Sequence, residues 1–441
     1  MLKIELDGRN AEDGANGLSI EAGDSTVRGL VINNFSRPIN DFSGVGIYLA
    51  RNGGNVVEGN FIGTDIHGTA DSGNWWGVLI SNTSDNLVGG IDIGSRNVIA
   101  ANKSYGIEIT GALATGNLVR GNLIGTDASG TAALGNLFDG VRLHGGAASN
   151  SIGGTFTAAR NLISGNDRYG VHIESNSTTG NVVQGNFIGT DVTGTRALGN
   201  GFDGVMLDGG ATGNTIGGSV GGATNVVSGN NRYGIVLDSF ATGNRIQGNF
   251  IGVDVTGVAP LSNRFHGVRI LSASNNTIGG TGGNQGNIIA FNGGVGVSVV
   301  SGGGNAILSN SIFSNNGLGI DLGEDAVTAN DAGDGDPGTN NLQNFPVLSS
   351  ATRGSLTVLG TLDSIPNNVF RLEFFASAAC DLSGHGEGER FLGSLFLTTG
   401  VENTSFEVTL SATVDAGSFV TATATGGDDS TSEFSQCVPV T

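Results

Sequence analysis

Apolar residues recur along this chain in short bursts of alternation. Each burst opens on Gly and then alternates apolar with outward positions: GIYLA from Gly46, GVLIS from Gly77, GIEIT from Gly106, GVRLH from Gly140, GVHIE from Gly170, GVMLD from Gly204, GIVLD from Gly234 and GVRIL from Gly267. Period-two alternation over four or five residues predicts strands with one buried face. Two further bursts follow in each unit, N-x-I/V-x-G and then NVISGN or NFIGTD, divided by Gly and Asn turns. GNFIGTD at 59–65 returns as GNLIGTD at 121–127, GNFIGTD at 185–191 and GNFIGVD at 248–254, at spacings of 62, 64 and 63 residues. Three short strands in each of many repeating units predict the coils of a parallel β-helix. Related starts at Gly17, Gly296 and Gly319 bring the count to eleven coils. At about 4.8 Å per coil, the solenoid is expected to be roughly 50 Å long.

One polar column supports the same winding. Asn55, Asn86, Asn117, Asn150, Asn181, Asn214, Asn244, Asn276 and Asn305 hold the same place in successive units. Stacked coils set these amides one above another, where each can bond the next and tolerate a turn conformation. Asp65, Asp127, Asp191 and Asp254, each in a D-x-x-G step, predict side chains that fold back onto their own turns rather than ligands for a metal.

Near residue 343 the repeat stops. SLTVLGTL, FRLEFFAS, FLGSLFL, SFEVTLSA, SFVTATAT and FSQCVPV follow with strict alternation and turn residues between them. The expected organisation is a β-helix over 1–343 and a small Ig-like β-sandwich over 344–441. Both cysteines, Cys380 and Cys437, fall in the second segment. Paired, they imply an oxidising compartment; two free thiols in a cytosolic sandwich are the alternative.

Composition narrows the class. Gly accounts for 79 of 441 residues and charged residues for only 13%, which disfavours a helical protein and an expanded disordered chain. Six prolines and no period of three exclude collagen. The formal charge is −20, and Lys3 and Lys103 are the only lysines, so the chain lacks the basic footprint of a nucleic-acid binder. No apolar run reaches 18 residues, so no membrane insertion is expected. The opening MLKIELDG is strand-like rather than a leader and reads as a mature or excised segment.

The pattern GNFIGTD…GTxALGN…DGVxLxGG…TIGG…NVISGN…YGI resembles the repeats of bacterial secreted right-handed parallel β-helix proteins of the pectate-lyase-like superfamily. EFFASAACDLSGHGEGERFLG and TATATGGDDSTSEFSQC resemble the sandwich that often follows such repeats. The resemblance covers nearly the whole chain and implies an extracellular or cell-surface protein. That superfamily holds polysaccharide lyases, glycoside hydrolases, epimerases, esterases and non-catalytic surface proteins, and none of its catalytic motifs maps onto this chain residue by residue.

Candidate chemistry follows from the alternation. Residues two and four after each Gly face outward. The first outward column runs Tyr48, Leu79, Glu108, Arg142, His172, Met206, Val236 and Arg269; the second runs Ala50, Ser81, Thr110, His144, Glu174, Asp208, Asp238 and Leu271. The residues before Gly add Trp76, Tyr105, Asp139, Tyr169, Asp203, Tyr233 and His266. Glu174, Asp208 and Asp238 would stack about 5 Å apart, which destabilises a sheet. Such an arrangement predicts a raised pKa, a bound cation or a bound sugar. The expected catalytic set is Glu174, Asp208, Asp238, His172, His144 and Arg142. Asp139, Tyr169, Asp203, Tyr233, Trp76 and Glu108 are the expected substrate contacts. Arg168 and Arg232, alternating with Phe138, Phe202 and Phe265, predict a cation–π ladder along the loop wall.

The expectation is a polysaccharide partner held in a groove on the GVxL sheet and cleaved there. Hydrolysis is preferred over elimination because acids dominate the cluster and no Lys is in it. A non-catalytic surface or adhesion module is the alternative, since near-identical repeats also arise by duplication for length. A second cluster, Asp331, Asp334 and Asp336 in NDAGDGDPGTNN, offers the oxygen ligands that Ca²⁺ takes; a solvated linker is its alternative. HExxH, Walker and CxxC motifs are absent. Uncapped strand edges at the first coil predict further β-helix repeats upstream, or self-association.

Overall fold

The computed structural model describes residues 4–36 and 42–441. Three parallel sheets run the length of the repeat region, two of eleven strands and one of ten. Each coil but the last contributes one strand to each sheet, and strand neighbours are always three strands apart in the chain, which is the winding of a parallel β-helix. No α-helix occurs among the described residues, only four short 3₁₀ turns.

The GVxL strands form the second sheet, from Leu18–Ile20 to Ile320–Leu322. Their register keeps like positions together: Val141 pairs with Val171, Arg142 with His172, and Glu174 with Asp208. Residues one and three after Gly, such as Ile107, Ile109, Val141, Leu143, Val171 and Ile173, are fully buried in one continuous core. Their outward neighbours form a polar face by the same alternation. The starting Gly is required by crowding: a Cβ on Gly170 would stand 2.6 Å from the Gly204 carbonyl oxygen.

The predicted Asn column is a continuous ladder, each Nδ2 donating to the next Oδ1 from Asn55 to Asn305. Two more ladders accompany it. One climbs through Asn60, Asn97, Asn122, Asn161, Asn186, Asn225, Asn249, Asn287 and Asn310. The other climbs through Asn74, Asn102, Asn136, Asn166, Asn200, Asn230, Asn263, Asn292 and Asn315. These amides are buried and fix all three corners of the coil. The Asp side chains of the D-x-x-G steps close their own turns, as Asp65 does on the Thr69 and Ala70 amides and Asp127 on those of Thr131 and Ala132.

Beyond the last coil come a three-stranded and a four-stranded antiparallel sheet, from Val347–Thr352 to Val438–Pro439, which fit a small sandwich. Cys380 and Cys437 are joined by a disulfide. This segment also caps the solenoid. Glu373 accepts from the Ser309 amide at 2.7 Å, Glu387 from Asn315 N at 3.0 Å, and Glu433 from Leu322 N at 2.9 Å and Thr328 N at 3.0 Å. Phe375 and Phe434 pack into the solenoid core itself. The last coil therefore finds its backbone partners in acidic side chains rather than in another coil.

Candidate functional site

The polar face of the GVxL sheet concentrates its charge on consecutive coils. Arg142 occupies the centre. Its Nη2 and Nε donate to Glu174 at 2.9 and 3.3 Å, and its Nη1 donates to Glu108 at 3.1 Å and to the Tyr105 hydroxyl at 3.0 Å. The guanidinium thus spans three coils, since Glu108 and His172 are its neighbours on either side. Tyr105 also lies beneath it, 4.8 Å from the ring centroid. His144 Nε2 stands 2.7 Å from Glu108 Oε1.

His172 forms the second hub. Nδ1 lies 3.1 Å from Asp139 Oδ2, and Nε2 lies 3.1 Å from Asp208 Oδ1 and 3.4 Å from Glu174 Oε2. Burial pulls its pKa down, but the hydrogen bonds and charges of Asp139 and Asp208 outweigh burial and raise it to about 9. His172 is therefore an imidazolium at neutral pH, donating from both nitrogens. Burial pushes Glu174 up, yet the Arg142 guanidinium and the His172 charge hold it below the usual carboxylate range.

This differs from the expected pile of like charges. The first outward column interleaves Arg142 and His172 diagonally with the acids of the second, so cations neutralise Glu174 and Asp208. Asp238 takes no part: its carboxylate accepts from the Ser239 amide at 2.6 Å. The structure brings Glu174, Asp208, His172, His144, Arg142 and Glu108 together and leaves Asp238 outside.

Several expected substrate contacts are positioned otherwise. Asp139 and Asp203 are sealed, at 0% and 1% exposure. Asp139 instead orients His172 and accepts from the Tyr169 amide at 3.3 Å. Burial raises Asp203 to about 6 against the opposing charge of Arg232 and the Tyr233 amide. The Tyr169 ring is buried against His172 and Phe202, with centroids 4.9 and 5.7 Å away. Tyr233 stacks on His266 at 5.2 Å and has Arg232 and Arg269 over its ring. Neither tyrosine offers a free face to a sugar. Arg168 lies over Phe138 and Tyr169, and Arg232 over Phe202 and Tyr233, at 5.0–5.6 Å, which is the expected ladder.

Trp76 lies elsewhere. With Tyr105, Leu79, Glu108, Arg142 and His144 it lines a cavity of about 400 Å³ on the sheet's outer face. The cavity has apolar walls and a charged, hydrogen-bonding floor, the composition common to small-ligand sites. A residue that sequence reasoning did not place is Glu324, which accepts from Arg269 at 3.0 Å and from the Ser298 hydroxyl at 2.9 Å toward the far end of this face. Glu324 follows the last coil strand and belongs to no repeat column, so no register pointed to it.

Among the described residues, two clusters have ligand spacing for a metal. Oxygen and nitrogen atoms of His172, Glu174 and Asp208 lie within 4.8 Å of one another, as do those of Asp331, Asp334 and Asp336. The first fits poorly, because a protonated imidazole has no lone pair to give.

No helix among the described residues is long and apolar enough to cross a membrane. No family model matches the chain, and no curated protein sequence does. Among solved structures it is similar to a double mutant of the periplasmic alginate epimerase AlgG, with 15% identity and a TM-score of 0.44 over 69% of this chain and 60% of that one. It is also similar to a full-length tailspike protein of an Escherichia coli bacteriophage, with 12% identity and a TM-score of 0.27 over 93% of this chain and 56% of that one. This chain thus spans less than two thirds of the length of either. No residue role is carried over from them.

Proposed function

We propose that this protein binds a polysaccharide along the outer face of the GVxL sheet and hydrolyses it beside Glu174 and Asp208. The observation that carries the reading is the cavity of about 400 Å³ that puts Trp76 and Tyr105 beside Glu108, Arg142 and His144. An apolar wall beside convergent donors and acceptors suits a sugar ring. Arg142 also bonds Glu174 at 2.9 Å, so the carboxylate pair adjoins the cavity.

Oxygens of Glu174 and Asp208 lie no more than 4.8 Å apart, which is short of the roughly 6.5–9.5 Å separation of inverting glycosidases and favours a nucleophile over a water-activating base. In this reading Glu174, kept ionised by Arg142, is the nucleophile. The His172 imidazolium, held between Glu174 and Asp208, is the proton donor to the leaving oxygen, Asp208 positions it, and water releases the glycosyl-enzyme and restores the proton. Elimination is disfavoured because Arg142, which would have to neutralise a uronate, is already engaged by Glu108 and Glu174. The Cys380–Cys437 disulfide supports an extracellular or otherwise oxidising location.

A non-catalytic binding module is the second reading, and one observation favours it: Arg142 grips Glu174 through two donors, which blunts a nucleophile. Incubation with a glycan panel separates the two. New reducing ends that vanish in Glu174→Gln and Asp208→Asn, with binding retained, support hydrolysis. Binding without turnover in the wild type supports the module, and neither binding nor turnover on any glycan contradicts both.

A further inference from the structure

We propose that Asp331, Asp334 and Asp336 form a Ca²⁺ site that fastens the loop leaving the solenoid to the sandwich. Their ligand oxygens lie within 4.8 Å of one another. Two ligands on opposite sides of a Ca²⁺ ion stand about 4.6–5.2 Å apart, given its usual bond lengths. An all-carboxylate set suits that hard cation.

A second, independent observation points to a ligand. Asp331 Oδ1 and Asp336 Oδ1 are both shut off from solvent with no hydrogen-bond donor. An anionic oxygen removed from water without a donor is strongly disfavoured, and a cation between the two removes the deficit at both. Asp334, 7% exposed, is held in place by donors of its own: Asn344 N at 2.9 Å, Gln343 Nε2 at 2.7 Å and the Ser364 hydroxyl. The Asn344 amide group also donates to the Asp331 and Asp363 carbonyls, each at 2.8 Å. The residues beside the cluster therefore join the connecting loop to the second turn of the sandwich, and the ion would lock that junction. The site is remote from the sheet-face chemistry, and the proposal does not depend on it.

Calorimetric titration of the EGTA-stripped full chain with CaCl₂ tests this. One equivalent of Ca²⁺ should bind, raise the melting temperature, and protect the segment 323–346 from limited proteolysis. Asp336→Asn and Asp331→Asn should weaken binding at least about tenfold, while Asp208→Asn leaves it unchanged. Asp336 anchors none of the bonds above, so its variant should fold like the wild type. No saturable uptake up to roughly 10 mM, beyond the weakest extracellular Ca²⁺ modules, would overturn the proposal. Uptake that survives both variants, or that is lost in Asp208→Asn instead, would also overturn it.

Discussion

His172 Nε2 stands 3.1 Å from Asp208 Oδ1, so one imidazole ties the sixth coil to the seventh across the outer face of the sheet. Its other nitrogen reaches the buried Asp139 at 3.1 Å. The ring thereby couples the polar face to the layer beneath it, and its proton is part of the structure.

That proton makes stability depend on pH. The folded pKa of about 9 exceeds the ordinary value of 6.5. Stability from this group is fully present below pH 6.5 and is lost as pH rises through 9, by about 3 kcal/mol in all. Asp203 and Asp321, each raised to about 6, lose their contributions between about pH 4 and 6, and Glu433, raised to about 8, between about pH 4.5 and 8. Denaturant midpoints from pH 4 to 10 should show the summed decline. His172→Gln should flatten the part of the decline above about pH 8, and Asp203→Asn should reduce the lower part without removing the share of Asp321 and Glu433. An unchanged upper decline in His172→Gln would assign that proton to another group.

Arg142 is the charge on which the face depends. Arg142→Ala would leave Glu108 and Glu174, both largely shielded, without their common partner. The expected loss is about 3 kcal/mol in unfolding free energy. Arg142→Lys should recover only part of it, because a single ammonium cannot reproduce the two-donor grip on Glu174.

The Asn ladders are tested at mid-solenoid. Asn181 accepts from both nitrogens of Asn150 at 3.0 Å and donates to Asn214 Oδ1 at 3.0 Å and to the Ala147 carbonyl at 2.9 Å. Asn181→Ala strands several buried groups at once and should cost about 4 kcal/mol by chemical denaturation. An exposed control such as Asn52→Ala, whose side-chain amide donates to the Glu21 carbonyl at the surface, should cost well under 1 kcal/mol.

The coil count, the inward set such as Val171 and Ile173, and the outward columns were legible because strand alternation and a glycine start repeat at a nearly constant step. One Asn ladder of three was legible. Asn60 and Asn74 stand in GN steps that read as ordinary turns, and only the winding reveals that they stack. Charge pairing was not legible. Register alone predicts Glu174 above Asp208, but Arg142 reaches diagonally from the other column, and rotamers decide that reach. Asp238 shows the same limit: it occupies the right column, yet its carboxylate turns to the Ser239 amide. Glu373, Glu387 and Glu433 were missed because capping pairs are remote in sequence and follow no period.

Reduction of the Cys380–Cys437 bond, which spans 57 residues, should lower stability by up to about 4 kcal/mol on the chain-entropy account. Unfolding midpoints with and without a thiol reductant, against Cys380→Ser/Cys437→Ser, measure it. The loss should be confined to the sandwich and the last coil that it caps, leaving the middle coils protected from hydrogen exchange.

The central claim is that a glycan lies on the sheet face at Trp76 and Tyr105. Equilibrium titration of oligosaccharides against the wild type, Trp76→Ala and Tyr105→Ala measures this directly. The account predicts saturable binding of at least one oligosaccharide, weakened at least about tenfold in each variant by loss of a cavity wall. Binding of equal strength in all three proteins would contradict it.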